Sequence, residues 1–271
     1  MTGHRERVQL TGEQETLLIT LYCKTLGCPP NVFEDKMSWK ILENIEYDFS
    51  RLRVPMGTRL TVCLRAKKMD DYVRQYLARQ PRSVMLHLGC GLDSRCTRVD
   101  HGESQWYDLD MPDVIDLRKK FFEETDTYHM IPAPVTDLRW IEAIPRQNQA
   151  ALIVAEGLMM YLPEQEVKSL ILRLKETFPG SGLVFDAFSE LTARNVKRHP
   201  SVKKAGAVVQ WGIDDARAIE SWAAGIQLKE EWYFSQSEDI KKLASGYRLM
   251  FKLAGLFTAA RKAHRILYYT L

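Results

Sequence analysis

The sequence predicts an α/β fold whose centre is a mostly parallel β-sheet. Three observations support this class. From residue 83 onward, short apolar runs alternate with helical segments, the first run ends in two closely spaced glycines, and no internal repeat interrupts the pattern. Alternation of this kind places parallel strands in one sheet with helices on both faces. We therefore expect a single domain that covers residues 1–271.

The first eighty residues predict a helical extension that precedes the sheet. Apolar residues recur at helical spacing in residues 13–24, 37–45 and 59–77. A segment with glycine and two prolines, residues 27–31, separates the first helix from the second.

Seven apolar or alternating segments predict the strands of the sheet. They are residues 84–88, 105–108, 128–131, 151–155, 183–186, 227–234 and 264–271. The helices expected after the first strand are residues 112–124, 138–144, 163–178 and 237–256. The last strand is rich in Tyr, Ile and Leu, so we expect it to add to the edge of the sheet in an antiparallel direction.

These elements divide the domain into four parts. We expect a helical N-terminal extension (1–80), a cofactor-binding core (81–188), an insertion (189–225), and C-terminal strands with a helix (226–271). The insertion contains helical patches but few long apolar runs. We expect it to form a lid over the carboxyl edge of the sheet, where such folds bind ligands.

Composition narrows the possible partners and compartments. With 38 basic and 35 acidic residues the net charge is +3, which gives no electrostatic case for nucleic acid. No stretch approaches the ~18 apolar residues that cross a membrane, and the first fifteen residues lack the apolar segment of a secretory signal. Five sparse cysteines without a zinc-ligand pattern favour a cytoplasmic protein with no bound metal. A homo-oligomer is possible.

The strongest functional signal is the turn that ends the first predicted strand. Gly89 and Gly91 follow an apolar run, and Asp108 and Asp110 close the second strand about twenty residues later. Glycines let the backbone turn sharply and approach a ligand. A carboxylate at this place can accept hydrogen bonds from ribose hydroxyls. The layout predicts a Rossmann-like site for a ligand that contains adenosine.

The residues around the glycines favour one class of adenosine ligand. Ser94 occupies the position of the third glycine in a dinucleotide fingerprint, and Asp93 adds a negative charge beside the loop. This charge is unfavourable near a pyrophosphate but favourable near a sulfonium or an ammonium. We therefore predict S-adenosylmethionine as the cofactor. The alternative is a nicotinamide dinucleotide, which would make the protein an oxidoreductase.

Five segments, in order along the chain, resemble motifs of the leucine carboxyl methyltransferase family. They are LRAKKMDD (64–71), LGCGLDSR (88–95), WYDLDMP (106–112), TDLRW (136–140) and AEGLMMYLP (155–163). The family includes bacterial O-methyltransferases of polyketide biosynthesis. The resemblance implies a class I methyltransferase fold, with seven strands and the last one antiparallel, that uses S-adenosylmethionine.

The resemblance also implies roles at the methionine end of the cofactor. Arg65 would bind the carboxylate, because a guanidinium fork matches its geometry. An ion pair of Arg65 with Asp70 or Asp71 is the structural alternative. Gly89 and Gly91 would lie under the methionyl part.

At the adenosine end, the resemblance implies Asp110 for the ribose hydroxyls, although Asp108 stands close to it. Met111 would cover the adenine, Asp137 would accept from its amine, and the Leu138 N–H would meet a ring nitrogen. Asp137 could equally be a helix N-cap.

The acceptor side is less defined in the sequence. Glu156 would meet the cofactor's ammonium or help to place the substrate, and Tyr161 would line the acceptor pocket or pack on the next helix. Asp186 or Glu156 could serve as a base, because no histidine stands in a matching motif and His87 lies inside a strand. Further candidates by location alone are Phe188, Arg194, His199 and Trp211.

These residues predict an O-methyltransferase whose acceptor is a small-molecule carboxylate or hydroxyl. The absence of an obvious histidine base favours a carboxylate or an acidic phenol, which ionise readily. A protein C-terminal carboxyl methyltransferase is the alternative, since the family contains such enzymes.

Overall fold

All seven predicted strands are present and form one sheet. The computed structural model describes residues 15–26, 28–145, 150–196 and 208–271. The strands are β1 (Val84–Leu88), β2 (Gln105–Asp110), β3 (Tyr128–Pro132), β4 (Ala151–Ala155), β5 (Gly182–Phe188), β6 (Gln227–Tyr233) and β7 (His264–Thr270).

The strand order is β3-β2-β1-β4-β5-β7-β6. Strands β1 to β5 pair in parallel, whereas β7 runs antiparallel to both of its neighbours, β5 and β6. The predicted direction of β7 is confirmed, but its predicted place at the edge is wrong. It lies inside the sheet because β6 pairs with its free side, and the burial of Ile266, Leu267 and Tyr269 fits an interior strand.

Helices cover both faces of this sheet. They are α1 (Glu15–Lys24), α2 (Lys36–Asn44), α3 (Met56–Arg79), α4 (Arg95–Arg98), α5 (Pro112–Arg118), α6 (Glu164–Thr177), α7 (Glu190–Val196), α8 (Ser245–Leu256) and α9 (Thr258–Lys262). The helix predicted over 138–144 is a 3₁₀ helix, Leu138–Ala143. The one predicted over 237–256 divides into a 3₁₀ turn, Glu238–Lys242, and α8.

Two apolar cores flank the sheet, one on each face. Helices α1 to α3 and α8 bury residues such as Leu18, Met69 and Phe251 on one face. Helix α6 and the 3₁₀ segments bury Val167 and Trp140 on the other face. Because β1, β2, β4 and β5 run parallel and β7 runs antiparallel to β5, the carboxyl ends of the first four strands and the amino end of β7 lie along one edge of the sheet.

The described part of the 189–225 insertion packs onto the sheet. Trp211 is 6% exposed, and its ring lies 6.2 Å from the ring of Phe185 on β5. The Ile213 N–H donates to the Phe188 carbonyl, which ties this segment to the end of β5. Trp211 is therefore a core residue. The proposed lid over the site stays a prediction, and His199 lies outside the described residues.

Among the described helices, none is both long enough and apolar enough to cross a membrane.

Candidate functional site

The glycine turn after β1 lies against the end of β2. Gly89 and Gly91 adopt φ angles of 62° and 52°, a left-handed backbone that favours glycine. The Gly91 N–H donates to Asp110 Oδ2 over 2.7 Å, and the Met111 N–H donates to Asp110 Oδ1 over 2.8 Å. Burial raises the pKa of Asp110, and these two backbone donors partly offset the effect. Asp110 is half-buried, so water or a ligand can reach it.

Asp108, the alternative to Asp110, is fully buried and already has four side-chain partners. Arg118 and the Tyr128 hydroxyl bind its Oδ2, whereas Trp106 and His87 contact its Oδ1 at 2.7 and 3.1 Å. Burial would raise the pKa of this carboxyl, but Arg118 and the hydrogen bonds outweigh burial and hold it at about 2. The structure thus gives Asp108 a place in the core and leaves Asp110 facing the edge of the sheet.

A cluster of buried charges stands beside the glycine turn. Arg65, on α3, donates to Asp186 Oδ2 over 2.8 Å and to Glu156 Oε1 over 3.2 Å. These carboxylates come from the end of β4 and from within β5, so three distant segments meet here. Arg65 does not pair with Asp70, which instead binds Arg95.

Lys24, which the sequence did not single out, completes this cluster from α1. Its Nζ lies 3.2 Å from Asp93 Oδ1 and 3.3 Å from Glu156 Oε1, and its side chain is 3% exposed. Burial alone would raise the pKa of Glu156, but the charges of Lys24, Arg65 and Arg95 hold it at about 2. Glu156 is therefore ionised and poorly suited to accept a proton. A single lysine at the end of a helix gives no signal in the sequence.

The cluster rests on a second layer of ion pairs. Arg95 binds Glu156 and also reaches Asp70 Oδ1 over 2.8 Å, while Arg98 Nε reaches Asp70 Oδ2 over 2.9 Å. Ser94, at the position of the third fingerprint glycine, donates to Asp35 Oδ1 over 2.6 Å. These contacts lock α4 against α2 and α3 and so fix the glycine turn.

On the predicted adenine side, Met111 is 47% exposed and Asp137 lies at the surface. Asp137 accepts from the Arg139 backbone N–H and pairs with its guanidinium, as the N-cap of a 3₁₀ helix. Its hydrogen bonds to Arg139 lower the pKa of Asp137. Leu138 follows it as the first residue of that helix. The N-cap alternative is thus observed, while the adenine contacts stay predictions.

On the predicted acceptor side, Asp186 is the most heavily bonded residue. Besides Arg65, it accepts from the Gly157 N–H over 2.6 Å and contacts His264 Nε2 at 2.7 Å. Burial would raise the pKa of Asp186, but Arg65 and the His264 hydrogen bond dominate and hold it far below its usual range. Asp186 is therefore a charged anchor, not a free proton acceptor.

Tyr161 lies on the same side and packs on the apolar group of Met160, Ala193 and Val209. Burial raises the pKa of Tyr161, so its phenol stays protonated. Arg194 pairs with Glu190 in solvent.

Comparison with known proteins gives the family of this chain. The sequence profile described as leucine carboxyl methyltransferase matches residues 33–175, more than half of the chain. The tetracenomycin polyketide synthesis O-methyltransferase TcmP of Streptomyces glaucescens is 38% identical over 275 residues, which cover 98% of this chain and 99% of that protein. The chain belongs to the leucine carboxyl methyltransferase family.

A second relative points to the same chemistry. The S-adenosyl-L-methionine-dependent methyltransferase dpfgK of Gibberella zeae is 32% identical, and the match covers 86% of each chain. The predictions of the family, of an S-adenosylmethionine-dependent O-methyltransferase and of S-adenosylmethionine as its cofactor are confirmed. The oxidoreductase alternative is not supported.

Solved structures support the fold. A DUF574 family protein from Streptomyces avermitilis has a TM-score of 0.61 at 13% identity and covers 96% of this chain and 99% of that one. An S-adenosylmethionine-dependent methyltransferase from Mesorhizobium loti has a TM-score of 0.54 at 13% identity, over 74% of this chain and 96% of that one. At this identity the likeness shows the fold alone.

Proposed function

We propose that this chain binds S-adenosylmethionine at the glycine turn and methylates an oxygen atom of a small-molecule acceptor. One observation carries the proposal: Glu156 pairs with two buried cations, Arg65 and Lys24, and Leu158, two residues further on, packs against Gly89. The arrangement lies at the carboxyl edge of the sheet, where folds of this type bind their ligands.

The charges of this cluster suit a methionine group. A free amino acid carries one carboxylate and one ammonium, so it can enter a balanced cluster and exchange partners without leaving a buried charge unpaired. Arg65 and Lys24 would hold the carboxylate, and Glu156 would hold the ammonium. Arg65 Nε is buried and has no hydrogen-bond partner among the described residues, so the fork keeps a spare donor.

At the other end, Asp110 suits a ribose. Each of its oxygens accepts one backbone N–H and retains a lone pair that can accept a ribose hydroxyl. The exposed Met111 beside it offers apolar surface for an adenine, and Asp137 with Leu138 would contact the adenine edge.

The protein's contribution to methyl transfer is mainly alignment. S-adenosylmethionine supplies a methyl group that its sulfonium already activates, and holding two reactants in line is worth about 7–11 kcal/mol. Gly157 and Asp186 continue the site from the cofactor cluster towards Tyr161, which would line the acceptor.

The acceptor is proposed to be a small molecule with a carboxylate or a hydroxyl, as the polyketide relative TcmP suggests. The five cysteines are unbridged, which supports the predicted cytoplasmic setting.

Calorimetry with S-adenosylhomocysteine tests the proposal. We expect the wild-type chain to bind it with a micromolar Kd and to bind NADH far more weakly. Glu156→Gln should abolish binding, because the substitution removes the charge that faces the ammonium. Glu176→Gln is the matched control, since Glu176 is 71% exposed and pairs only with the half-buried Arg173 in the described structure. An absence of S-adenosylhomocysteine binding, or equal loss in both variants, would refute the proposal.

A further inference from the structure

Helix α8 presents apolar side chains to solvent as well as to the core. Its Phe251 is 5% exposed and packs in the core that the N-terminal helices share. Five other large apolar side chains, on α8 or directly after it, are 42–75% exposed. They are Leu249, Met250, Leu253, Leu256 and Phe257, and together they form the outer stripe of α8.

The outer stripe is continuous along the helix. At 3.6 residues per turn, its four helical members fall within about 120° of the circumference, on the side opposite Phe251. Met250 also lies 3.7 Å from the point where a Cβ on Gly57 would stand, so the stripe reaches the first turn of α3, which carries the exposed Met56. A connected apolar surface that faces solvent marks an interaction site on a protein or a membrane.

The chain around the outer stripe is basic. Residues 240–271 contain seven Lys or Arg and no Asp or Glu. Arg248 and Lys252 lie along one side of the stripe on the same helix, and Arg261 and Lys262 follow on α9. In the described part of the chain, none of these four cations has an ion-pair partner. The surface therefore suits a partner that offers negative charge and apolar material together.

These properties favour an anionic membrane surface over a second copy of the chain. Two copies that met through this surface would bring their unpaired cations together, and like charges repel. A helix with Leu and Phe on one face and Lys or Arg beside them can lie in the plane of a membrane interface. Its apolar face then enters the boundary of headgroups and acyl chains, and its cations meet the lipid phosphates. Binding of this kind needs no helix that spans the bilayer.

We propose that α8 and α9 form a docking surface for anionic membranes. The outer stripe enters the interface, and Arg248 and Lys252 contact the lipid headgroups. Helix α9 leads directly into β7, whose amino end lies along the ligand-binding edge of the sheet. Docking would therefore hold that edge close to the bilayer. The inference goes beyond the proposed function and does not depend on the cofactor site.

Vesicle flotation with the full chain tests this surface. The probes are vesicles of phosphatidylcholine alone and vesicles in which phosphatidylglycerol replaces part of it. We expect the wild type to partition at least about tenfold more strongly into the anionic vesicles, because each base near the surface contributes a factor of about five. High salt should remove most of this preference, because it screens the charges.

Two double variants separate the apolar part of the surface from its charge. Leu253→Gln with Phe257→Gln should lower partitioning into anionic vesicles by at least about tenfold, since it removes apolar area from the interface. Arg248→Gln with Lys252→Gln should lower it by at least about tenfold and leave the weak partitioning into neutral vesicles unchanged.

The matched control is Trp39→Gln with Lys40→Gln on α2. It also removes one exposed apolar residue and one exposed base. The N-cap of α2, Asp35, binds Ser94 beside α4, so this helix packs near the glycine turn and not beside α8. Partitioning of this variant should match that of the wild type.

A fluorescent label gives a signal that does not depend on a loss of binding. The five native cysteines are buried and unbridged, so a cysteine introduced at the surface can be labelled selectively. An environment-sensitive fluorophore on Leu253→Cys should shift its emission to the blue when anionic vesicles are added. The same fluorophore on Trp39→Cys should not shift.

The possible outcomes separate this proposal from the proposed function. Thermal unfolding reports whether each variant is folded, and calorimetry with S-adenosylhomocysteine should give one Kd for all of them. A wild type that floats with anionic vesicles but does not bind S-adenosylhomocysteine would overturn only the proposed function. A wild type that does not float, or floats equally with both vesicles, would overturn the docking surface.

Two further results would also overturn it. One is an equal loss of flotation in the control variant on α2 and in the variants on α8. The other is a concentration-dependent dimer that Leu253→Gln with Phe257→Gln abolishes, in a chain that binds no vesicles, since the stripe would then be a contact between copies.

Discussion

Replacing Asp110 by alanine should weaken binding of S-adenosylhomocysteine by roughly two orders of magnitude and leave the fold intact. Asp110 ends β2, is half-buried, and holds the glycine turn through the Gly91 and Met111 N–H groups. Two hydrogen bonds from ribose hydroxyls to a charged acceptor contribute about 1.5–3 kcal/mol each. A loss of about 3 kcal/mol in binding free energy corresponds to roughly a hundredfold rise in Kd.

Replacing Asp108 by alanine, two residues away, should show the opposite pattern. Asp108 and its partner Arg118 are both fully buried, so the variant leaves a buried guanidinium without its carboxylate. Breaking such a pair costs about 3–5 kcal/mol of unfolding free energy, which lowers Tm by roughly 10 °C in a chain of this size. In Asp110→Ala the unfolding free energy should fall by less than about 2 kcal/mol, because Asp110 is half-buried and water can enter the space that its side chain leaves.

Calorimetry with S-adenosylhomocysteine and urea denaturation of both variants measure the two effects separately. The reasoning fails if Asp110→Ala binds like the wild type. It also fails if Asp108→Ala is as stable as the wild type but loses more affinity than Asp110→Ala.

Other substitutions and pH test the remaining parts of the site. Arg65→Met should lower the unfolding free energy by about 3–5 kcal/mol in urea and abolish S-adenosylhomocysteine binding, since it leaves buried carboxylates without their cation. Gly89→Ala should cost about 1–3 kcal/mol of stability and weaken binding, because its φ of 62° strains any side chain. Trp211→Ala should cost about 3–5 kcal/mol without a change in cofactor Kd, and a change in Kd would contradict its place in the core. The pKa values of Glu156 and Asp108 are held at about 2. Their contribution to stability is therefore complete above the unfolded pKa of about 4, and urea unfolding should show its loss as pH falls towards 2.

The sequence is informative about local structure and about motifs. Each predicted strand overlaps an observed one, because buried apolar runs bounded by turn residues are a local signal. The glycine turn and the acidic end of β2 meet as predicted, since consecutive parallel strands bring their carboxyl ends together. The position of β7 between β5 and β6 depends on pairing between distant segments, for which the local pattern has no signal.

The same limit applies to the charges of the site. Lys24, Arg65, Glu156 and Asp186 come from α1, α3, β4 and β5, and the fold alone brings them together. The sequence made Asp186 a candidate base because this residue ends an apolar run. Its partners in the structure, Arg65 and His264, make it an anchor instead.

The most direct test of the central claim is a crystal structure of the chain with S-adenosylhomocysteine. We predict that the ribose lies on Asp110, the amino acid carboxylate on Arg65 and Lys24, and the ammonium on Glu156. A ligand bound away from the Gly89 turn, with the contacts among Arg65, Lys24 and Glu156 unchanged, would contradict the claim.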